Sequence, residues 1–289
     1  MFMSEFKPSA GTAQMTDDTF RLLRDFIYEH SGIYFSDTKK SQLENRLILR
    51  LRANNLSDYD KYYYMLKYDP QAAKELRSLF DSVTTNETSF FRSPPQIQAF
   101  QEKALPELML NRENMGEKTL RLWSAGCSTG DEPYTMAIIV KELLQENLCD
   151  WDVKIFASDI SEKALRSARA ATYNEYTLRS VPPEIKKKYF ISNGTQYKIT
   201  DEIRMLVELQ YLNFNDDKRV RLMRGFDAIF CRNVLIYFDD TAKKRFVSQL
   251  YDNLNPGGYL FIGHSESLHN ISRAFKLVHF PGALGYKKE

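Results

Sequence analysis

The chain has 289 residues, 43% hydrophobic and 27% charged, a composition that can bury a core and excludes collagen-like, low-complexity and wholly disordered classes. Forty basic against 38 acidic residues leave a formal charge of +2, so no global field draws the molecule to nucleic acid or anionic lipid. Cys127, Cys149 and Cys231 are too widely spaced for a disulfide framework or a zinc site, so no metal is expected. Residues 1–15 lack the apolar stretch of a leader, and nowhere do 18 apolar residues run together. A cytoplasmic location without membrane insertion follows as the expectation, and the length suggests two domains.

In chain order, residues 1–15 are expected to form a flexible N-terminus and 16–82 a helical domain. Its helical pattern starts from Thr16, where Asp17 or Asp18 can cap, with Phe20, Leu23, Ile27 and Tyr28 at three- and four-residue spacing. Further helices are predicted over 39–53, 57–68 and 71–81, and residues 83–118 form a linker and a helix. From 119 to 289, short Val/Ile/Phe/Leu runs alternate with amphipathic helices, the mark of βαβ units in a parallel sheet. The strands are read as 120–125, 153–158, 206–212, 226–231 and 258–263, with helices over 132–146, 161–170 and 240–253. Residues 172–204 interrupt this alternation, and Asn193-Gly194 between apolar runs predicts a hairpin, hence a small antiparallel insertion.

Ligands of such sheets bind beyond the carboxyl ends of the strands. The first end, Ser124 to Pro133, runs through Gly126 and Gly130 into a helix, and the acids Asp131 and Glu132 favour a neutral or cationic ligand over a pyrophosphate. Asp159 closes the second strand, suited to accept both hydroxyls of a ribose or else to cap the next helix. At the later ends Asn213 can bond an adenine edge, while Phe214 and Val234 can pack on its ring or serve loop packing.

The string Thr85-Asn86-Glu87-Thr88-Ser89-Phe90-Phe91-Arg92, the loop Ser124 to Pro133 with Tyr134, Ala157-Ser158-Asp159-Ile160, Phe226 to Phe238, Asn255-Pro256-Gly257-Gly258 and Gly263-His264-Ser265-Glu266-Ser267 together resemble the bacterial chemotaxis-receptor glutamate methyltransferases, the CheR family. The resemblance implies a Rossmann-like α/β methyltransferase domain with a β insertion, preceded by an all-α domain. It implies S-adenosylmethionine as cofactor, held by residues matching Asn86, Thr88, Arg92, Glu132, Asp159, Asn213, Phe214, Asn233 and Val234, beside Gly126. The implied partner is the cytoplasmic helical region of chemotaxis receptors, methylated on glutamate by a monomeric enzyme. The segment 190–207 is shorter than in enterobacterial members, so tethering of a receptor's C-terminal peptide by strand addition is not carried over.

Arg92 is expected to orient the incoming carboxylate or to anchor the cofactor, and Tyr237 to shape the transfer pocket or to pack. Lys39, Arg46 and Arg50, spaced by seven and four, predict a basic helical stripe that either meets an acidic receptor helix or is a solvated surface face. Nucleic-acid methyltransferases that act on amino groups place Pro-Pro-aromatic after the fourth strand, whereas here that position reads Arg232-Asn233-Val234-Leu235. A nicotinamide dehydrogenase would need a fuller glycine fingerprint.

Overall fold

The computed structural model describes residues 14–289; residues 1–13, most of the expected flexible N-terminus, lie outside the described residues. The helical domain comprises α1 (Asp17–Ser31), α2 (Lys40–Ala53), α3 (Tyr59–Tyr68) and α4 (Ala72–Val83). Met15 does not belong to a loose end, because its side chain is buried with Phe20, Leu23 and Leu47. Thr16, rather than Asp17 or Asp18, caps α1: its hydroxyl accepts from Thr19 N, which leaves the two acids in the first turn to complement the helix dipole.

A linker then enters α5 (Pro94–Ala99), a π-helical turn (Phe100–Ala104) and α6 (Leu105–Asn114). The remaining elements are β1 (Thr119–Ala125), α7 (Asp131–Leu144), β2 (Asp152–Asp159), α8 (Glu162–Ala170), β3 (Thr172–Tyr173), α9 (Pro183–Tyr189), β4 (Phe190–Ser192), β5 (Tyr197–Ile199) and α10 (Asp201–Arg204). They are followed by β6 (Val207–Tyr211), α11 (Asp217–Leu222), β7 (Phe226–Cys231), α12 (Asp240–Asn253), β8 (Leu254–Ile262), β9 (Lys276–Phe280) and β10 (Ala283–Lys287).

The main sheet runs β6-β2-β1-β7-β8-β10-β9, parallel from β6 through β8 and antiparallel in β10 and β9. All six residues of β7 are buried, as a strand covered on both faces requires. The chain leaves β1 toward β2 on one side and returns through β7 on the other, so the strand order reverses between β1 and β7 and opens a crevice at their carboxyl ends. The expected all-α domain, parallel sheet and antiparallel insertion are all present. Two details differ. The insertion has three strands, β3-β5-β4, and the final hairpin β9–β10 was not anticipated, because Gly282 and Gly285 interrupt its short apolar runs.

Six hydrogen bonds help to seat the helical domain over the crevice. Tyr28 donates to Asp239, and Asn213 and Asn215 donate to the His30 and Glu29 carbonyls at the end of α1. Asp81 of α4 accepts from Ser161 Oγ and Lys163 N at the head of α8, and Tyr34 N donates to Tyr237 O.

Candidate functional site

The linker, the helical domain and the strand ends enclose a cavity of about 280 Å³. Its walls include Asn86, Thr88 and Arg92 from the linker, Gly126 and Glu132 from the first loop, Asp159, Phe214, and Asn233, Val234 and Tyr237 after β7. Ser31, the last residue of α1, and Ile33, just past it, complete it. The linker reaches the cavity because Phe90 is anchored in the core, edge-on to Tyr173 at 4.8 Å and Phe190 at 5.1 Å. Phe91 and Ser93 then take left-handed backbone (φ 51° and 61°), which turns the chain sharply around Arg92.

The first loop is tight for a steric reason. Gly126 has φ 86°, and a Cβ there would stand 2.4 Å from Val234 Cγ2. Asp159 braces this loop from the second strand, with one carboxylate oxygen accepting from Ser128 N and the other from Ser161 N, each at 2.8 Å. Ser161, not Asp159, is the N-cap of α8, since its hydroxyl accepts from Ala164 N. Burial pushes the Asp159 carboxyl up despite these amides.

Glu132 opens the second half of the site. It accepts from Ser124 Oγ at 2.6 Å and pairs with Arg232 at 3.2 Å, while Arg232 also donates to the Arg92 carbonyl at 2.6 Å. Burial pushes the Glu132 carboxyl up and the Arg232 guanidinium down. Arg232 Nε is buried with no partner. Arg92 donates to the Glu87 carbonyl, and Tyr237 donates to the Thr85 carbonyl at 3.3 Å. Behind Asn233, which has φ 59°, the Glu266 carboxylate accepts from the amides of Asn233, Ile236 and Gly263 and so holds the loop after β7.

The arrangement is a binding and alignment site rather than a nucleophilic one. Cys127 and Cys231 are wholly buried and their thiols are pushed well up by burial, away from the thiolate. No cluster that would hold a metal ion occurs among the described residues. The carboxylates of Glu132 and Asp159, the apolar Phe214 and Val234 and the close glycine approach suit a ligand with a cationic end, a diol and a flat ring.

Several residues singled out from sequence stand elsewhere. Asn213 does not line the cavity: its amide donates to His30 O at 2.6 Å and its oxygen accepts from Asn215 N, so it ties α1 to the sheet. The basic stripe is not a free face. Lys39 lies ahead of α2 in a 3-10 turn, Arg46 donates to Val83 O and Thr85 Oγ1, and Arg50 pairs through two nitrogens with Glu75 inside the helical domain. Arg46 and Arg50 share a helical side as expected, but α2 turns it onto the end of α4 and Glu75 rather than outward, and Lys39 alone stays exposed. Arg232 and Glu266 escaped attention as site residues although both sit in the motifs; what they bond is a matter of tertiary contact.

The chain matches the family models described as CheR methyltransferase, all-alpha domain, over residues 18–84, and CheR methyltransferase, SAM binding domain, over 86–283. It is 34% identical over 275 residues to chemotaxis protein methyltransferase 2 of Vibrio cholerae, covering 95% of this chain and 94% of that one. It is 36% identical over 267 residues to the chemotaxis protein methyltransferase of Salmonella typhimurium, covering 91% and 88%. The counterpart in Escherichia coli is 34% identical over 267 residues, covering 91% and 89%. A crevice at the strand-order reversal, donors and acceptors suited to S-adenosylmethionine, and relatives matched over nearly their whole length converge on one assignment: the chain belongs to the CheR methyltransferase family and is an S-adenosylmethionine-dependent methyltransferase.

Proposed function

We propose that the enzyme transfers the methyl group to glutamate side-chain carboxylates of chemotaxis receptors in the cytoplasm, forming methyl esters for sensory adaptation. The observation that carries this reading is the pairing, in one cavity, of acceptors for the donor molecule with the Arg92 guanidinium as the cation for an incoming carboxylate, Tyr237 standing in the same wall. Asp159 would accept the ribose hydroxyls, Phe214 and Val234 would cover the adenine, Glu132 would face the ammonium, and Asn86, Thr88 and Asn233 would line the tail. Bound there, S-adenosylmethionine supplies a methyl group activated by a sulfonium.

The substrate glutamate, with an ordinary pKa of about 4.3, arrives ionised and needs no general base. Arg92 orients its carboxylate, Tyr237 shapes the transfer pocket, and alignment of this kind is worth roughly 7 to 11 kcal/mol. Charge is neutralised as the ester forms, which a pocket closed by the helical domain favours. No described helix is long and apolar enough to cross a membrane. Of the basic residues considered for docking, Lys39 is exposed with no acidic partner among the described residues.

The test is incubation of methyl-labelled cofactor with membranes from the source organism. Base-labile label in receptor peptides, mapped to glutamate, is the expected result. Label that resists base, or that enters nucleic acid, rejects the reading.

A further inference from the structure

Arg46 stands on α2, yet its guanidinium serves the linker. One nitrogen donates to the carbonyl of Val83, the last residue of α4, where a helix leaves carbonyls without partners. The other donates to Thr85 Oγ1 at 2.7 Å. The Thr85 carbonyl in turn accepts from the Tyr237 hydroxyl at 3.3 Å, and Thr85 and Tyr237 both line the cofactor cavity. Tyr237 is held from behind as well, because its own carbonyl accepts from Tyr34 N of the helical domain at 2.8 Å.

The contrast with Arg50, one turn on, is informative. Arg50 is neutralised by Glu75, whereas Arg46 has no carboxylate within ion-pair distance among the described residues. A half-buried arginine that gives up bulk water for a helix end and a threonine, without a counter-charge, is costly to hold unless its geometry is used. Its planar fork spans two acceptors on successive parts of the chain, a task that the single ammonium of lysine cannot perform in the same way.

We infer that Arg46 is a positioning residue for methyl transfer: by bridging the end of α4 to Thr85 it sets the linker against Tyr237 and so fixes where the Tyr237 hydroxyl stands. The inference rests on the placement of Tyr237 at the transfer end of the site. It assigns Arg46 to the chemistry through Tyr237, and not to a surface that attracts an acidic partner.

The test uses the full chain, labelled S-adenosylmethionine and receptor-bearing membranes. Arg46→Ala and Arg46→Lys should both lower kcat about tenfold while KM for receptor and its salt dependence stay near the parent's, since small misplacement is expensive in turnover. Recovery of kcat in Arg46→Lys, or a loss confined to KM that fades with salt, overturns the inference, because charge alone would then suffice. Thr85→Val keeps the helix-end contact and is less exposed to misfolding; it should lower kcat about threefold with an unchanged melting temperature. No loss there also overturns the inference. In a cycle with Tyr237→Phe, the double variant should be no more than about twofold worse than Tyr237→Phe alone. Additive losses reject the coupling and leave the role of Tyr237 standing, whereas a silent Tyr237→Phe rejects both.

Discussion

Glu132 and Arg232 meet at 3.2 Å with side chains only 13% and 4% exposed, so the wall of the cavity at the strand ends carries an ion pair largely withdrawn from water. Arg232 reaches across from the end of β7 and also clamps the Arg92 carbonyl, joining linker and sheet through one guanidinium. Removing one member of such a pair strands the other charge. Arg232→Met is expected to destabilise the fold by about 3 kcal/mol, read as a lower urea midpoint at unchanged slope. An unchanged midpoint would mean that water already screens Glu132.

Asp159 offers both carboxylate oxygens to backbone amides and still lines the cavity. Asp159→Ala orphans the Ser128 and Ser161 amides and removes the proposed ribose acceptor. Calorimetry with S-adenosylhomocysteine should show affinity reduced at least about tenfold, the equivalent of roughly 1.5 to 3 kcal/mol for a hydrogen bond to a charged group. A folded variant that binds as tightly as the parent would confine Asp159 to bracing the loop.

Asp131 is fully buried, with one oxygen accepting from Thr129 and the other without a partner, and burial pushes its carboxyl up to about 6 from 3.8. A raised acid binds more protons folded than unfolded between those values, so its contribution to stability is lost as pH climbs through that window and stays lost above it. Asp131→Asn removes the titration. The variant should gain on the order of 2 kcal/mol relative to the parent on going from pH 4 to pH 7, measured by denaturant unfolding at each pH. Parallel profiles for the two proteins would show that Asp131 does not carry the linkage.

Arg50 and Glu75 pair at 2.6 Å with 21% and 11% of their side chains exposed, and Tyr62 donates to the same carboxylate. The arginine and tyrosine contacts outweigh burial and hold the Glu75 carboxyl below its ordinary value. Arg50→Ala should therefore lower stability by about 2 kcal/mol at neutral pH, with the deficit shrinking as acid protonates Glu75. Thermal unfolding across pH reads this directly, and a stable variant with impaired receptor methylation would instead return Arg50 to a docking role.

The sequence by itself determined the alternation that makes the sheet. Phe226 to Cys231 is apolar except for Asp227, whose buried carboxylate pairs with Arg112, because the strand is covered on both faces, and Asn193-Gly194 supplies the left-handed turn of a hairpin that needs no distant partner. Those are local signals, carried by residues a few positions apart. The glycine loop, the acid closing β2 and the aromatic after β6 were equally legible, since strand ends of a parallel sheet converge wherever the strand order reverses. Tertiary structure alone decided the partners of polar side chains. Asn213 was spent on the His30 carbonyl, Arg50 on Glu75 and Arg46 on the linker, whereas Arg232 was turned inward to Glu132. A hydrogen bond is settled by which group lies within reach once the domains have docked, and these partners lie between 25 and 183 residues apart along the chain, where no periodicity reaches.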